Sequence, residues 1–246
     1  MFSASEEFYD LIYSTFKDYA AEAQHIAGLL RGINPDCISI LDVACGTGEH
    51  ARRLAQLGFS VDGLDLDPAF VRIARAKHPS GRFFEADMSD FSLPHRYDAV
   101  LCLFSSIGYL QTLDRVTAAL RCFRRQLTPG GVVVVEPWFP PGGLNTARVA
   151  RNTGEANGVR VTRTSRVEVD GRLSRLHFDY EIADGTGTRH ASEIHELGLC
   201  TPAEMLDAFR DAGLEVDFDP KGLTDRGLYV ARSAWRDTLR PASHEP

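Results

Sequence analysis

A turn rich in small residues is the segment whose residue types are best suited to bind a ligand. It reads LDVACGTGEH over residues 41–50 and has small side chains at Ala44, Gly46 and Gly48, between a predicted strand and a predicted helix. Small residues let the backbone turn sharply and approach a ligand, and a helix N-terminus offers free N–H groups to an anionic group. The turn predicts a ligand site, although similar turns also occur as plain connections between a strand and a helix.

Two acidic residues at the ends of later predicted strands narrow the kind of ligand. Asp65 follows the glycine turn by about 20 residues, the spacing at which an acidic side chain reaches the hydroxyls of a ribose. Asp87 ends the next strand, where its carboxylate can accept a hydrogen bond from the amino group of an adenine while Met88 packs on the ring. Together with the turn, these residues predict a cofactor that contains a nucleoside.

Other side chains suit acid–base chemistry at an acceptor. Alternation along residues 189–199 puts Glu193, His195 and Leu197 on one face of a strand, so His195 is a candidate general base if that face lines a pocket. A hydrogen-bonded strand histidine is the alternative. Tyr109, after the fourth predicted strand, either positions the acceptor or packs beneath later residues. His190, Glu193 and His195 lack the H-E-x-x-H spacing, and no metal site is predicted.

Arginines are concentrated in the segment that follows the central strands. A guanidinium cluster over an active site would suit a diphosphate. In exposed hairpins the same residues form only a solvated face, and the sequence leaves both possibilities open. The seven arginines are Arg148, Arg151, Arg160, Arg163, Arg166, Arg172 and Arg175.

The composition is that of an ordinary globular protein and excludes several classes of partner. The chain has 246 residues, of which 43% are hydrophobic and 25% charged, with a net charge of −7. This acidic balance gives no general attraction to nucleic acid or to anionic membranes. The five cysteines form no C-x-x-C pair, which indicates reduced thiols and a cytoplasmic location. Neither a signal peptide nor an apolar run long enough to span a membrane is predicted.

The elements that must position these residues follow two patterns. Apolar runs alternate with amphipathic helical stretches over residues 36–140, which predicts a parallel sheet with helices on both faces, preceded by a helical cap over residues 1–35. Residues 141–199 interrupt this order with an antiparallel insertion, whose period-two alternation predicts three strands over residues 161–199. Residues 200–235 return to a helix and two strands. We expect one domain with the insertion as a lid over the acceptor, followed by a frayed tail.

The ordered motifs resemble those of a known enzyme family. The sequence DVACGTG at residues 42–48, then Asp65, then Asp87 with Met88, then LFSSIGYL at residues 103–110 is similar to the motif set of class I S-adenosylmethionine-dependent methyltransferases. Within that family the chain resembles the N,N-dimethyltransferases that act on nucleotide-linked amino sugars in macrolide antibiotic pathways. The resemblance spans residues 9–232. It implies an α/β fold with a Rossmann-like, doubly wound, seven-stranded and mostly parallel sheet with a reversed last strand.

The same resemblance implies roles for individual residues. Phe104 and Ser105 would lie beside the sulfonium of S-adenosylmethionine, the implied cofactor, and Tyr19 would help to close its pocket. Tyr13 and Tyr109 would flank the methyl acceptor. The full implied cofactor set is Tyr19, Ala44, Gly46, Thr47, Gly48, His50, Asp65, Leu66, Asp87, Met88, Phe104 and Ser105. The implied substrate set is Tyr13, Tyr109, Glu136, Trp138 and Arg226, the last of these against the diphosphate-linked portion.

Methyl transfer is an in-line displacement in which holding the nucleophile and the methyl group about 3 Å apart supplies most of the acceleration. We therefore expect Tyr109, Tyr13 and His195 to act at the acceptor, a small molecule, in a monomer or homodimer. Three alternatives stay open from the sequence. The first is methylation of a flat aromatic acceptor at nitrogen or carbon. The glycine turn with its acid is also the fingerprint of NAD-dependent oxidoreductases. A non-catalytic cofactor-binding module is the third.

Overall fold

A seven-stranded sheet forms the centre of the protein in a computed structural model, which describes residues 6–233. The helices are α1 (Tyr9–Tyr13), α2 (Tyr19–Ile33), α3 (Glu49–Gln56), α4 (Pro68–Lys77), α5 (Leu113–Arg125) and α6 (Pro202–Asp211). The strands are β1 (Ser39–Val43), β2 (Ser60–Asp65), β3 (Phe83–Glu85), β4 (Tyr97–Cys102), β5 (Leu127–Val135), β6 (Ala150–Ala156), β7 (Val159–Asp170), β8 (Leu173–Asp184), β9 (Gly187–Gly198), β10 (Leu214–Asp219) and β11 (Leu228–Ser233). Short 3-10 helices cover Glu6–Phe8 and Ser106–Leu110.

The sheet has the strand order β10-β11-β5-β4-β1-β2-β3. Strands β1 to β5 run parallel, and β11 is antiparallel to both β5 and β10. This arrangement confirms the predicted Rossmann-like fold with its reversed last strand. It also brings the carboxyl ends of β1, β2, β3 and β4 to one edge of the sheet, where ligands bind in folds of this type.

Helices cover both faces of this sheet, as the unbroken apolar strands require. Val132 to Val135 in β5 have at most 1% of their surface exposed. On one face, Phe123 of α5 and Phe209 of α6 pack on the strands, and on the other face Leu30 of α2 and Leu54 of α3 do so. The central strands are therefore held between two apolar layers, which fixes the positions of the loops at their ends.

One segment with a sequence typical of a turn is instead part of a strand. The sequence Pro129, Gly130 and Gly131 is typical of a turn, but the structure continues β5 through it from Leu127 onwards. The register with β4 shifts there, from Tyr97 opposite Leu127 to Ala99 opposite Val132, so the extra residues form a bulge. Gly130 has a φ of +80°, a conformation that glycine adopts without a steric penalty.

The insertion is a separate four-stranded antiparallel sheet with the order β6-β7-β8-β9, which we call the lid. The three antiparallel strands predicted over residues 161–199 are present as β7, β8 and β9, but the sequence analysis missed a fourth strand, β6, which pairs along its whole length with β7. The β6 sequence ARNTGEA has no apolar alternation, and most of its side chains are exposed. Its strand conformation comes from hydrogen bonding to β7 rather than from burial of one face.

The cap consists of α1 and α2 with a bend at residues 14–18. Ile12 of α1 is 1% exposed and packs in the small apolar core of the lid, against Phe178 and Ile182. The backbone of Leu11 also approaches Gly154 of β6 closely. Cap and lid thus share one core above the carboxyl edge of the main sheet.

No helix within residues 6–233 is both long and apolar enough to cross a membrane. The tail predicted for the last ten or so residues lies outside the described part of the chain.

Candidate active site

A cavity of about 1090 Å³ lies between the carboxyl ends of β1 to β4 and the cap and lid. Many residues singled out from the sequence line it. They are Tyr13, Ala44, Gly46, Asp65, Leu66, Asp87, Met88, Phe104, Ser105, Tyr109, Trp138 and Arg226. Other predicted site residues lie behind this surface, namely Tyr19, Thr47, Gly48, His50, Glu136 and His195. Most of the predicted cofactor and acceptor residues therefore line one cavity.

The three small residues of the glycine turn have different surroundings. Ala44 and Gly46 both line the cavity with left-handed φ angles of +55° and +54°, and a Cβ added at Gly46 would meet no atom within 4 Å. A Cβ at Gly48, by contrast, would lie 2.9 Å from the Cβ of Ala74 in α4. Gly46 thus leaves open space beside the cavity, whereas Gly48 is required where α3 packs on α4.

Thr47 points towards the cap. Its hydroxyl donates a hydrogen bond to Oδ1 of Asp10 over 2.6 Å, and Asp10 also forms an ion pair with Lys77 of α4. The resemblance implied a cofactor contact for Thr47. In this structure the Thr47 side chain connects the glycine turn to α1 through its hydrogen bond with Asp10.

Asp65 connects the glycine turn with the cavity. Its Oδ2 accepts a hydrogen bond from the N–H of Gly46 at 2.8 Å, and its Oδ1 accepts one from the N–H of Asp67 at 2.9 Å. Burial raises the pKa of Asp65, and these N–H groups offset only part of that effect. A carboxylate has about four acceptor sites. Asp65 can therefore accept further hydrogen bonds from a pair of hydroxyl groups.

Asp87 is held as a carboxylate at another corner of the cavity. Its Oδ1 accepts hydrogen bonds from the N–H and hydroxyl of Ser89 at 2.8 and 2.7 Å, and its Oδ2 accepts one from Arg115 at 3.0 Å. Burial alone would raise the pKa of Asp87, but the Ser89 bonds and the Arg115 charge outweigh it and hold the pKa below its usual value. Met88 and Arg115 line the cavity beside it.

A buried network of Lys17, Glu22 and His50 was missed in the sequence. The Lys17 ammonium donates to Oε1 of Glu22 at 2.7 Å, and Nε2 of His50 lies 2.8 Å from Oε2 of Glu22. Burial lowers the pKa of Lys17. For Glu22, burial raises the pKa, but hydrogen bonds and charges from His50 and Lys17 lower it overall. Tyr19 packs edge-on against His50 with ring centroids 4.9 Å apart, so Tyr19 supports this network from behind.

Lys17 and Glu22 both line the cavity. An ammonium and a carboxylate side by side complement the two charged ends of a free amino acid, such as the methionine part of the implied cofactor. In the sequence, only the acid at the start of α2 pointed to this pair. Lys17 lies in the bend of the cap, and it reaches Glu22 because the chain changes direction there.

The loop after β4 is strained. Phe104 and Ser105 have φ angles of +54° and +63°, a region that costs non-glycine residues of the order of 1–3 kcal/mol each. Glu136 accepts a hydrogen bond from the N–H of Phe104 at 2.6 Å, and the hydroxyl of Ser105 donates to the carbonyl of Pro137 at 2.6 Å. These bonds hold the Phe104 ring in the cavity surface, 3.9 Å below the Lys17 ammonium.

Glu136 has no exposed surface and lies behind the cavity. It accepts a hydrogen bond from Thr224 and forms an ion pair with Arg226 at 3.3 Å. The resemblance implied substrate contacts for both Glu136 and Arg226. In the structure Arg226 lines the cavity, 5.3 Å from the Phe104 ring centroid, and Glu136 orients it.

Tyr109 lines the cavity opposite the glycine turn, and His195 lies directly behind it. The Tyr109 hydroxyl is 3.1 Å from Nδ1 of His195, which is 2% exposed. The predicted alternation of β9 is present, since Glu193, His195 and Leu197 are buried while Ile194 is exposed. His195 is therefore reached from the cavity through Tyr109.

The arginines of the lid divide into two groups. Arg148, Arg151, Arg163 and Arg166 line the cavity. The other three form ion pairs elsewhere on the lid surface: Arg160 with Glu155, Arg172 with Glu204, and Arg175 with Glu196. Alternation along the strands could not predict this division, because it depends on where the lid sits over the main sheet.

Arg163 differs from the other arginines in its burial. It is 5% exposed, and its guanidinium packs on the rings of Tyr13 and Phe178 at 4.8 and 4.5 Å. Among the described residues, its Nε and Nη1 atoms have no hydrogen-bond partner. A buried guanidinium with unused donors that lines a cavity is suited to bind an anionic group there.

Comparison with known proteins agrees with this site. Residues 40–131 match the family model described as "Methyltransferase domain". The chain is 43% identical over 226 residues to dTDP-3-amino-3,6-dideoxy-alpha-D-glucopyranose N,N-dimethyltransferase of Streptomyces fradiae, covering 91% of this chain and 89% of the relative. It is 40% identical over 224 residues to dTDP-3-amino-3,4,6-trideoxy-alpha-D-glucopyranose N,N-dimethyltransferase of Streptomyces venezuelae, covering 90% and 94% of the two chains.

Solved structures give the same relationship. Streptomyces venezuelae DesVI superposes with a TM-score of 0.88 at 40% identity, over 93% of this chain and 98% of that one. S-adenosylmethionine-bound CalS10, an amino pentose methyltransferase from Micromonospora echinaspora, superposes with a TM-score of 0.80 at 36% identity, over 88% and 92%. The chain therefore belongs to the S-adenosylmethionine-dependent methyltransferases, in the family that includes these N,N-dimethyltransferases.

Proposed function

We propose that this methyltransferase transfers methyl groups from S-adenosylmethionine to the amine nitrogen of a dTDP-linked amino sugar, and that it does so twice. The observation that carries the proposal is Arg163. This buried guanidinium has unused donors and lies in the same cavity as the carboxylates suited to a nucleoside cofactor. The two relatives described above, both named as N,N-dimethyltransferases of dTDP-linked amino sugars, support the same acceptor class.

The cofactor side of the cavity fits S-adenosylmethionine by charge and hydrogen-bonding type. Asp65 would accept hydrogen bonds from ribose hydroxyls, Asp87 one from the adenine amino group, and Lys17 with Glu22 would pair with the charged amino-acid end. When bound, the cofactor supplies a methyl group on a positively charged sulfur.

The acceptor side of the cavity fits a nucleotide sugar. Arg163 of the lid and Arg226 of the loop before β11 both line the cavity with guanidinium groups. Guanidinium pairs bind diphosphates by bidentate hydrogen bonds. Trp138 also lines the cavity, with its Nε1 donating to Ser174 at 2.9 Å, so that the indole is fixed as an apolar surface for a base or sugar ring.

The chain's own residues would then orient the amine. Tyr13 and Tyr109 line the cavity between its cofactor and arginine sides. Burial raises the pKa of Tyr13, although the neighbouring Arg163 lowers it in part, and burial also raises the pKa of Tyr109. Both tyrosines therefore carry their hydroxyl protons at neutral pH. Each hydroxyl oxygen can accept a hydrogen bond from the amine. Holding the nitrogen lone pair in line with the methyl group is the main task of the site.

The test is methyl transfer by the purified protein. It is incubated with S-adenosylmethionine and dTDP-3-amino-3,6-dideoxy-α-D-glucopyranose, and mass spectrometry follows products with one and two added methyl groups. The corresponding 4-amino sugar nucleotide, the free amino sugar without dTDP and an aromatic amine are tested in parallel. We expect dimethylation of a dTDP-linked sugar and little reaction of the free sugar. Methylation of the aromatic amine alone would show that the acceptor assignment is wrong.

We further propose that the enzyme works in the cytoplasm as a monomer or homodimer without nucleic acid. Support comes from the acidic net charge of −7 and from cysteines that are all unpaired. Sedimentation of the purified protein measures the oligomeric state, and thiol titration of protein taken directly from cells measures the redox state of its cysteines.

A further inference from the structure

Four side chains form a hydrogen-bonded chain that runs from the cavity into the lid. The Tyr109 hydroxyl, which lines the cavity, is 3.1 Å from Nδ1 of His195. Nε2 of His195 is 3.3 Å from Oε2 of Glu193, and the Tyr180 hydroxyl donates to the same oxygen at 3.2 Å. His195 and Glu193 are 2% and 7% exposed. The chain therefore links the cavity surface to a buried carboxylate through a histidine ring.

When His195 is neutral and Glu193 is ionised, one protonation pattern satisfies every bond in this chain. The Tyr109 O–H donates to Nδ1, which leaves the proton of a neutral His195 on Nε2, where it donates to Glu193. Glu193 then accepts from both His195 and Tyr180. A carboxylate behind a histidine fixes the tautomer of the ring and stabilises the imidazolium that forms when the ring takes up a proton. Tyr109 is thus placed to pass on a proton.

We propose that Tyr109, His195 and Glu193 form a proton relay that removes one proton from the acceptor nitrogen in each methylation, and that the second methylation depends on it. The proposal rests on the proposed function, because it requires an amine acceptor. Tyr109 is the catalytic residue of the relay, since it contacts the acceptor space. His195 and Glu193 act through Tyr109 and are positioning residues.

Two successive methylations of one nitrogen require that the nitrogen loses a proton between them. The nitrogen lone pair forms the N–CH3 bond while the S–CH3 bond breaks and its electron pair stays on sulfur. The product is an ammonium without a lone pair, which cannot attack a second methyl group until it loses a proton. In the relay that proton moves to the Tyr109 oxygen while the Tyr109 proton moves to Nδ1 of His195. When product leaves and water enters the cavity, Tyr109 gives its new proton to water, and the imidazolium beside Glu193 returns the proton on Nδ1 to the Tyr109 oxygen.

The surroundings favour transfer of both protons together. Burial raises the pKa of Tyr109 well above its ordinary value, and nearby Tyr13, Glu193, Tyr180 and Asp65 raise it further. A free phenolate is therefore disfavoured, and Tyr109 must give up its own proton as it accepts one. Of the charged groups around the relay, Glu193 favours the imidazolium and Arg163, which packs on Phe178 next to the His195 ring, opposes it.

The experiment compares Tyr109→Phe, His195→Gln and Glu193→Gln with wild type, measuring first and second methylation separately from neutral pH to about pH 10, where aliphatic amines lose their protons without help. His177→Gln is the matched control. His177 lies on the same lid, 3.5 Å from Glu168, but outside the cavity lining. We expect the three relay variants to lose about 100-fold or more in kcat for the second step at neutral pH, the scale of a general base. Their monomethyl product should accumulate, their KM should stay unchanged, and their rates should approach wild type as the pH rises.

Two results would overturn the relay. One is an equal loss of rate at every pH, which would indicate a packing defect, and the other is wild-type dimethylation at neutral pH by all three variants. A second measurement needs no acceptor. Ring-nitrogen NMR of histidine-labelled enzyme should show the Nε2–H tautomer of His195 and a shift of Nδ1 in Tyr109→Phe. If wild type methylates no amine, the proposed function fails, whereas the opposite tautomer refutes the relay by itself.

Discussion

Asp65 is the residue on which cofactor binding should depend most directly. Its carboxylate accepts two backbone hydrogen bonds and lines the cavity, and Asp65→Ala removes a charged acceptor from the predicted ribose site. We expect a loss of roughly 2–3 kcal/mol of S-adenosylmethionine affinity, on the scale of hydrogen bonds to charged groups, measured by titration calorimetry. Asp98→Ala is the control, because Asp98 also accepts two backbone N–H bonds but at the opposite end of the sheet. Equal affinity loss in both variants would contradict the assignment.

The pH dependence of binding follows from the same carboxylate. The pKa of Asp65 is raised in the folded protein, mainly by burial, so protonation begins at a higher pH than for an exposed aspartate. The ionised form accepts from ribose hydroxyls. Affinity should therefore be full above this raised pKa and fall as the pH decreases through it, starting above the ordinary value of about 3.9. Calorimetry over that range checks the sign, and an affinity that rises on acidification would refute it.

Arg163 carries the prediction for the acceptor. Arg163→Lys keeps the charge but loses the forked donors, so we expect KM for the dTDP-linked sugar to rise by roughly 10-fold or more, with cofactor affinity unchanged. Steady-state kinetics and calorimetry separate the two effects. Arg160→Lys is the matched control on the same strand, because Arg160 is paired with Glu155 outside the cavity. An unchanged KM in Arg163→Lys would remove the diphosphate role of this residue.

Sequence reasoning identified the residues at strand ends better than those that meet across elements. Asp65 and Asp87 follow strands whose carboxyl ends share an edge, so their proximity was predictable. The pairing of Lys17 with Glu22, and of Arg115 with Asp87, was not, because long side chains from separate segments reach these partners only after the elements pack. Glu193 was identified only as a neighbour of His195 on one face.

At the scale of elements, α6 has a complete N-terminal cap that also connects it to the lid. The Thr201 hydroxyl accepts from the N–H of Glu204, Glu204 accepts from the N–H of Thr201, and Arg172 of the β7–β8 turn pairs with Glu204. We expect Glu204→Gln to cost up to about 1 kcal/mol of unfolding free energy at neutral pH, because glutamine still accepts the Thr201 N–H bond but loses the charge that pairs with Arg172. Urea denaturation measures it. Asp207→Asn is the control, because Asp207 pairs only with Arg210 in the next turn among the described contacts.

This cap also predicts a pH dependence of stability. Hydrogen bonds from Thr201 and Arg172 lower the pKa of Glu204 to about 2. A carboxyl with a lowered folded-state pKa contributes stability that is present above its unfolded pKa of about 4.3 and lost as the pH falls towards 2. The stability difference between wild type and Glu204→Gln should therefore shrink over that interval. A constant difference would indicate that the cap contributes through packing alone.

Element prediction succeeded where burial produces a pattern. The parallel strands and the alternation of β9 follow from buried faces, and both are present. β6 and the bulge in β5 depend instead on hydrogen bonding to a neighbouring strand, which leaves no apolar period in the sequence. The number of strands and the reversal of the last one came from the family resemblance, and the strand order was not predicted, since local patterns do not specify which strands are neighbours.

At the scale of the whole molecule, the close approach of cap and lid should be sensitive to a single methyl group. A Cβ at Gly154 would lie 2.6 Å from the carbonyl oxygen of Leu11, so Gly154→Ala must push α1 away from the lid. We expect a loss of about 1–3 kcal/mol of stability, the usual cost of overpacking, together with weaker cofactor retention. Gly185→Ala is the matched control in the same sheet, because a Cβ there meets no atom within 4 Å. Thermal unfolding with and without cofactor compares the two variants.

The shared core also bears on whether the lid is an independent unit. Ile12 contributes a fully packed side chain to the apolar core of the lid, together with Phe178, Tyr180 and Ile182. Residues 141–199 on their own would expose that core. We therefore predict that this segment does not fold alone, and separate expression of the segment checks the prediction. Cooperative thermal unfolding of the isolated segment would refute it.

The division of the cavity surface between two stretches of chain has a consequence for how such an enzyme can diversify. In the proposed function, the side facing the cofactor comes mainly from residues 44–88, whereas most of the arginines that would face the acceptor come from residues 148–166. Point changes in the lid can therefore alter the set of accepted sugars without disturbing the donor site. Descendants of one ancestral gene could diverge in substrate while retaining the same chemistry, and exchange of lid segments between relatives offers a route to new methylated sugars.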